Sequence, residues 1–294
     1  MIVFPQKYSY KKNTSVFSGG SRQFSNVYIA GLRSVVIDKS AKEIFFTKGS
    51  EYQVRATIPK YLFGRRSVDK RVLCFPGFNH GNWYHIVADM GFQVFLAKQR
   101  GMIDAIALPS IIKSYNSSFL QFFQLFDLPL LFVNHPRESL NVSQVACFDK
   151  YTGRLSEAIK GGVLKNELKS YFDFLNQSFV NSNHYDRAKT YSQKIFSTRK
   201  GNDSRVYNGV LDIESEYEKK GYQIVHFGGM NVFEQMAVMQ NATHLSGFHG
   251  ANLTNLLFAH QCKFVEELIT RELSGDFQTI AKFKKANHSR RKLL

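Results

Sequence analysis

Short apolar, β-branched runs separated by stretches of helical period are what most restrict the folds open to this chain. The runs lie at 34–38, 43–47, 72–76, 103–108, 130–134 and 145–149. Each is too short for a stable helix and apolar enough to be buried, so each predicts a strand. Between them, 82–98 and 114–126 carry apolar residues at helical spacing, so strand and helix alternate through the middle of the first half. From 155 to 187 the chain turns polar, with Leu164, Leu168, Phe172 and Leu175 at helical spacing and Gly161-Gly162 as a break. This predicts a connecting helical segment. A second alternating block follows, with strands at 194–198, 222–227, 244–248 and 263–268 and helices at 213–220, 232–241 and 251–258. That order describes a parallel sheet with helices packed on it, the doubly wound α/β pattern.

The 294 residues suffice for two domains, each with its own core. The expected division is an N-terminal domain over 1–150, a connecting helical segment over 151–190, a C-terminal domain over 191–270 and a tail over 271–294. No run approaches the roughly 20 uninterrupted apolar residues of a membrane span, and the N-terminus lacks the basic-then-apolar layout of a signal peptide. A cytoplasmic location is therefore expected. Glycosylation sequons begin at Asn241 and Asn252, where glycans would obstruct the site described next, and this favours the same compartment. Cys74, Cys147 and Cys262 lie far apart without paired spacing, which argues for reduced structural thiols rather than a zinc site or a disulfide framework.

The net charge of +16 suits nucleic acid, an anionic membrane surface or phosphorylated substrates. The basic residues are dispersed, and no arginine-rich block, zinc knuckle or aromatic nucleic-acid-binding strand accompanies them. A basic nucleic-acid-binding protein on a Rossmann-like scaffold is the rival reading from charge alone, but it leaves one cluster of residues unexplained. The segment from His244 through Phe258 runs strand, turn, helix. Such a turn lies at the carboxyl edge of an open α/β sheet, where the following helix aims free N–H groups at ligands. Gly250 and Ala251 keep the turn small enough for a phosphate to approach, and His249 and Asn252 offer hydrogen bonds. Upstream, Arg199 and Arg205 flank the end of another strand, and arginine forks match diphosphate oxygens. Glu234 and Gln235 open the next helix, where helix capping and ligand binding are both open roles. Glu267, ending the last strand, is placed to accept hydrogen bonds from ribose hydroxyls. In the first half, His85 and Asp89 stand four apart and share one face of a helix, so either can take a proton from a hydroxyl.

Arg199, Arg205 and Asn208, then Glu214 and Gly221, Glu234-Gln235, Ala242, Gly247, His249-Gly250-Ala251, Leu253-Thr254-Asn255 and Glu267-Leu268 follow the order and approximate spacing of the C-terminal domain of the family 61 glycosyltransferases. The element Asn82-Trp83-Tyr84-His85-Ile86-Val87-Ala88-Asp89 resembles the Asn-x-x-His-x-x-x-Asp element of the same family. Phe248 and Asn252 depart from its commoner residues. The resemblance implies a GT-B-like α/β fold of two Rossmann-like domains facing a cleft, with inverting transfer that needs no metal or other cofactor. It implies a UDP-sugar donor held through Arg199, Arg205, Asn208, Glu234, His249, Gly250, Ala251, Asn252 and Glu267, with xylose and N-acetylglucosamine as the favoured sugars. The acceptor, an oligosaccharide, polysaccharide or glycoprotein, is expected to meet Asn82 and Trp83. A carboxylate stays ionised at neutral pH, so Asp89 is the expected base, with His85 orienting it or contacting the acceptor. Nucleic acid is not an expected partner, whereas the basic surface allows peripheral membrane association. A sugar-nucleotide binder without catalysis is the remaining alternative.

Overall fold

The computed structural model describes residues 9–12, 21–30, 35–38, 43–46, 65–75, 81–133, 139–148, 154–162, 164–199, 209–271 and 273–293. Its contacts divide the chain into two units, Met1–Ala158 and Ile159–Leu294. The division falls within a helix of the expected connecting segment.

In the first unit the strands are β1 (Ser9–Lys12), β2 (Ser21–Ala30), β3 (Val35–Asp38), β4 (Glu43–Phe46), β5 (Arg65–Leu73), β6 (Ala105–Pro109), β7 (Leu130–Val133) and β8 (Ser139–Phe148). Among the described residues they form one sheet in the order β1-β4-β3-β2-β8-β5-β6-β7. The half β8-β5-β6-β7 is parallel, as the alternation of strand and helix predicts. The other half is mixed: β2 pairs antiparallel with β8 and with β3, and β3 antiparallel with β4, while β1 pairs parallel with β4. This corrects the expectation of a plain Rossmann-like N-terminal domain. β2 reads Ser-Arg-Gln-Phe-Ser-Asn-Val-Tyr-Ile-Ala, too polar at its start to register as a buried run, and it is recruited by pairing along nearly all of β8. Val72, Cys74, Ala105, Ala107, Val142 and Val145 join the core on the parallel half.

After β5 comes a π-helical turn, His85–Met90, which runs into α1 (Gly91–Gln99); α2 (Ser117–Gln124) lies between β6 and β7. The chain steps outward from β5 to β6 to β7 and then returns to the far side of β5 as β8. The strand order therefore reverses between β5 and β8, and the carboxyl ends of those two strands are the switch point at which open α/β sheets bind ligands.

The connecting segment is broken where Gly161-Gly162 predicts, into α3 (Leu155–Lys160) and α4 (Lys165–Val180), with Gly162 at φ +63°. The second unit then adds β9 (Lys194–Ser197), α5 (Val210–Lys219), β10 (Gln223–Val225), α6 (Val232–Gln240), β11 (His244–Phe248), a 3₁₀ turn (Ala251–Phe258), β12 (Phe264–Ile269), α7 (Asp276–Phe283) and β13 (Asn287–Lys292). All pairs in its sheet, ordered β10-β9-β11-β12-β13, are parallel. Helices cover both faces. Tyr217 of α5 packs on Phe196 and Phe248, while Phe277 of α7 meets the ring of His249, and consecutive residues such as Phe248 and His249 point to opposite sides.

Two expectations are corrected here. The segment after β11 is a 3₁₀ helix rather than an α-helix, because Leu253, Leu256 and Ala259 recur every third residue and are all buried. The expected tail is α7 and the edge strand β13, whose charged residues hid its strand character.

Candidate active site

The second sheet also reverses, since β9 leads out to β10 and the chain returns to the other side of β9 as β11. Its switch point lies at the carboxyl ends of β9 and β11, and there the structure brings together Arg199, His249 and Gly250. Arg199 Nη2 donates to the carbonyl of His249 at 2.8 Å. A Cβ on Gly250 would lie 1.8 Å from that nitrogen, so the absence of a side chain is what seats the guanidinium. Deeper in the sheet, a Cβ on Gly247 would lie 2.6 Å from the carbonyl oxygen of Ser197, so this glycine permits the close approach of β11 to β9. Ala251 and Asn252 open the 3₁₀ turn, and Leu253 N–H already donates to Gly250 O at 3.0 Å. Thr198 Oγ1 donates to Glu214, fastening the strand end below Arg199 to α5. Arg205 and Asn208 lie outside the described residues.

His249 is only 9% exposed, and its Nδ1 is hydrogen-bonded to Oε1 of Glu267. Arg290 Nε donates to the other carboxylate oxygen at 2.8 Å, and His288 Nε2 lies 3.3 Å from it without hydrogen-bond alignment. Burial alone would push the Glu267 carboxyl up, but His249, His288 and Arg290 together hold it well below the usual carboxylate range. Glu267 has no exposed surface. The expected contact with ribose hydroxyls is therefore corrected: a carboxylate enclosed by three side chains acts on a ligand only through them.

Glu234 takes the capping role that was open to it. Its backbone N–H donates to Asn231 Oδ1 at 3.0 Å and its carboxylate accepts from Asn231 N–H at 2.8 Å, a reciprocal capping box at the start of α6, while Arg187 lies 3.6 Å from the second oxygen. Gln235, buried beside it, donates to Met230 O at 3.1 Å.

In the first unit the switch point between β5 and β8 holds the other candidate pair. His85 Nδ1 is 2.7 Å from Asp89 Oδ2, and Leu155 N–H, at the start of the helix that follows β8, donates to Asp89 Oδ1 at 3.1 Å. Asp89 therefore ties the π-turn after β5 to the helix after β8. Its side chain is 1% exposed against 26% for His85. Burial raises the Asp89 carboxyl, opposed by His85, Arg154 and the Leu155 N–H. Of the two, only the imidazole reaches the surface, whereas a base must touch the hydroxyl it deprotonates. The extra residue of the π-turn, closed by Gly91 N–H donating to Ile86 O, is the local irregularity that sequence periodicity does not show.

Asn82 and Trp83 are also corrected. Asn82 Oδ1 accepts from Tyr84 N–H at 2.9 Å, closing the turn before the helix. Trp83 stacks on Phe119 at 5.6 Å and meets Phe122 edge-on at 5.9 Å, 6% exposed. Its ring belongs to the core and offers no face to a sugar.

The model of the family Glycosyltransferase 61 matches residues 83–265, more than half of the chain. The chain belongs to this family. No curated protein shows significant similarity to it. The match to the glycosyltransferase model takes in His85, Asp89, Arg199, His249 and Gly250, and it leaves out β5 at one end and Glu267, α7 and β13 at the other. All three cysteines are buried free thiols, and burial pushes Cys262 up to about 11, as suits packing residues rather than nucleophiles. Among the described residues no group of three or more His, Cys, Asp or Glu is arranged to hold a metal ion, and no helix is long and apolar enough to cross a membrane.

Proposed function

We propose that this glycosyltransferase has GT-B-type architecture and transfers a sugar from a UDP-sugar to a hydroxyl of a glycan acceptor, with inversion and with protein groups rather than a metal relieving charge on the diphosphate. The observation that carries the reading is the guanidinium of Arg199 seated on Gly250 at the switch point of an all-parallel sheet. A planar cation beside a tight turn is what a diphosphate requires. In this reading the second unit binds the donor through Arg199, Arg205 and the turn at His249, and the first unit serves the acceptor. Xylose or N-acetylglucosamine as the transferred sugar follows from resemblance within the family alone.

The reaction is a single displacement. The acceptor oxygen forms a bond to the anomeric carbon as the bond from that carbon to the diphosphate oxygen breaks, and the acceptor proton passes to His85 Nε2. Asp89 holds Nδ1–H, which fixes the tautomer that leaves Nε2 able to accept. The developing negative charge on UDP falls on the arginines and the turn.

A thermal-shift and calorimetric titration with UDP, GDP and CMP, each with and without EDTA, tests this. UDP at about 100 times its Kd should stabilise the protein by about 2.7 kcal/mol, in EDTA as well as without it, and Arg199→Ala should weaken binding by tenfold or more. Loss of UDP binding on chelation, or an Arg199→Ala protein with unchanged affinity, contradicts the proposal. UDP binding without transfer to any glycan acceptor would leave a binder in place of an enzyme with this donor.

A further inference from the structure

We infer that Glu267 is a positioning residue for His249, and that the edge strand β13 completes the site by holding that carboxylate through Arg290, with His288 beside it. The inference rests on the donor-site reading of His249 but concerns residues that lie beyond the family match.

A fully buried carboxylate is costly unless several partners compensate it, and apolar residues of similar volume generally stabilise a core as well or better. Packing alone therefore does not account for a carboxylate at this position. Its arrangement does specific work on the imidazole. Held ionised, Glu267 can only accept, so His249 Nδ1 must carry a proton, and Nε2 is the nitrogen left to face a ligand. The rest of the residue is fixed as well: His249 N–H donates to Leu268 O at 2.9 Å, and the ring meets Phe277 edge-on at 5.6 Å. A ring free to flip would present a different nitrogen on each side, so a ligand contact through Nε2 needs this lock.

The carboxylate is itself held from β13. Glu267 pairs with Arg290 in the parallel register of β12 and β13, so both side chains rise from the same face, with His288 two residues earlier on that face. Arg290 also donates from Nη2 to Ser274 O at 2.6 Å, which fixes its fork before it reaches Glu267. Through this chain of contacts β13 sets the orientation of a side chain at the switch point two strands away.

Nitrogen-15 NMR of the His249 ring in the full chain, with UDP as the probe ligand, tests this. The wild-type ring should show the Nδ1–H tautomer at mildly alkaline pH. Glu267→Gln should give a mixture of tautomers and roughly tenfold weaker UDP binding, and Glu267→Asp should recover part of both. If Glu267→Gln does not fold, Arg290→Gln leaves the carboxylate in place and should still broaden the tautomer signal and weaken UDP binding. A wild-type His249 protonated on Nε2 overturns the proposal, as do folded variants with unchanged tautomer and affinity, because a merely structural glutamate would change stability alone. Should wild-type UDP binding be absent, the donor reading falls, while the tautomer response to Glu267→Gln still decides the positioning role.

Discussion

At the scale of single residues, burial separates groups that carry similar chemistry in the sequence. His85 and Asp89 look interchangeable as bases four residues apart, yet the aspartate is spent on its neighbours. One oxygen meets the imidazole and the other caps the helix that begins at Leu155. A base must touch its substrate, and an enclosed carboxylate raised by burial is better suited to orienting an imidazole that can. His85→Ala should therefore lose about 10²–10⁴-fold in turnover per folded molecule, and some stability too, since it leaves one oxygen of the buried Asp89 carboxylate without the imidazole. Asp89→Asn should also lose turnover, through a misoriented imidazole, and His85→Ala combined with Asp89→Asn should be little worse than His85→Ala alone. Steady-state kinetics on all three variants checks this. Full loss in Asp89→Asn with near-normal His85→Ala would return the role of base to the carboxylate. The choice was hidden in the sequence because spacing places two residues on a helical face without saying which of them the rest of the chain covers. Trp83 shows the same limit: the motif marks it, while Phe119 and Phe122, remote in sequence, bury it.

At the scale of elements, the second sheet was the most legible part of the chain, and the reasons are local. β11 occupies the very residues its apolar run marks, and α6 carries a capping box readable as Asn231 followed by Glu234. β2 and β13 escaped because pairing, not hydrophobic pattern, makes them strands. β2 is half polar and β13 reads Asn-His-Ser-Arg-Arg-Lys, a charged edge that also discourages further strand addition. The site lies where two legible strands meet, and its glycines divide the labour. Gly247 faces a backbone carbonyl that cannot yield, so Gly247→Ala should destabilise the protein by about 1–3 kcal/mol. Gly250 faces the end of a long side chain that can swing away. Gly250 also sits at φ +157°, a conformation that strains any other residue, so Gly250→Ala should lose stability as well as displacing Arg199, with UDP affinity of the folded protein reduced tenfold or more. UDP titration of the folded variants, with chemical denaturation beside it, separates the effects, and retained UDP affinity in folded Gly250→Ala would contradict the assignment of Arg199.

At the scale of the whole molecule, each unit brings candidate residues to a place where the order of its described parallel strands reverses. In the first unit that is β5 against β8, in the second β9 against β11. The topology was only partly readable in advance, since alternation of strand and helix predicts parallel pairing but not the antiparallel pairs that β2 and β3 make in the first sheet. The recurrence at both reversals ties the chemistry to the fold, because the helices flanking a reversal diverge and leave backbone N–H groups open to a ligand. The second reversal is the proposed donor site. Hydrogen–deuterium exchange with and without UDP tests it most directly. With UDP bound, exchange should slow at the amides of Thr198, Arg199 and Arg205 and of His249 through Asn252, with β13 following through Arg290 and Glu267, and should change little elsewhere in the second unit. Protection confined to other segments, or none at UDP concentrations that saturate binding, would contradict it.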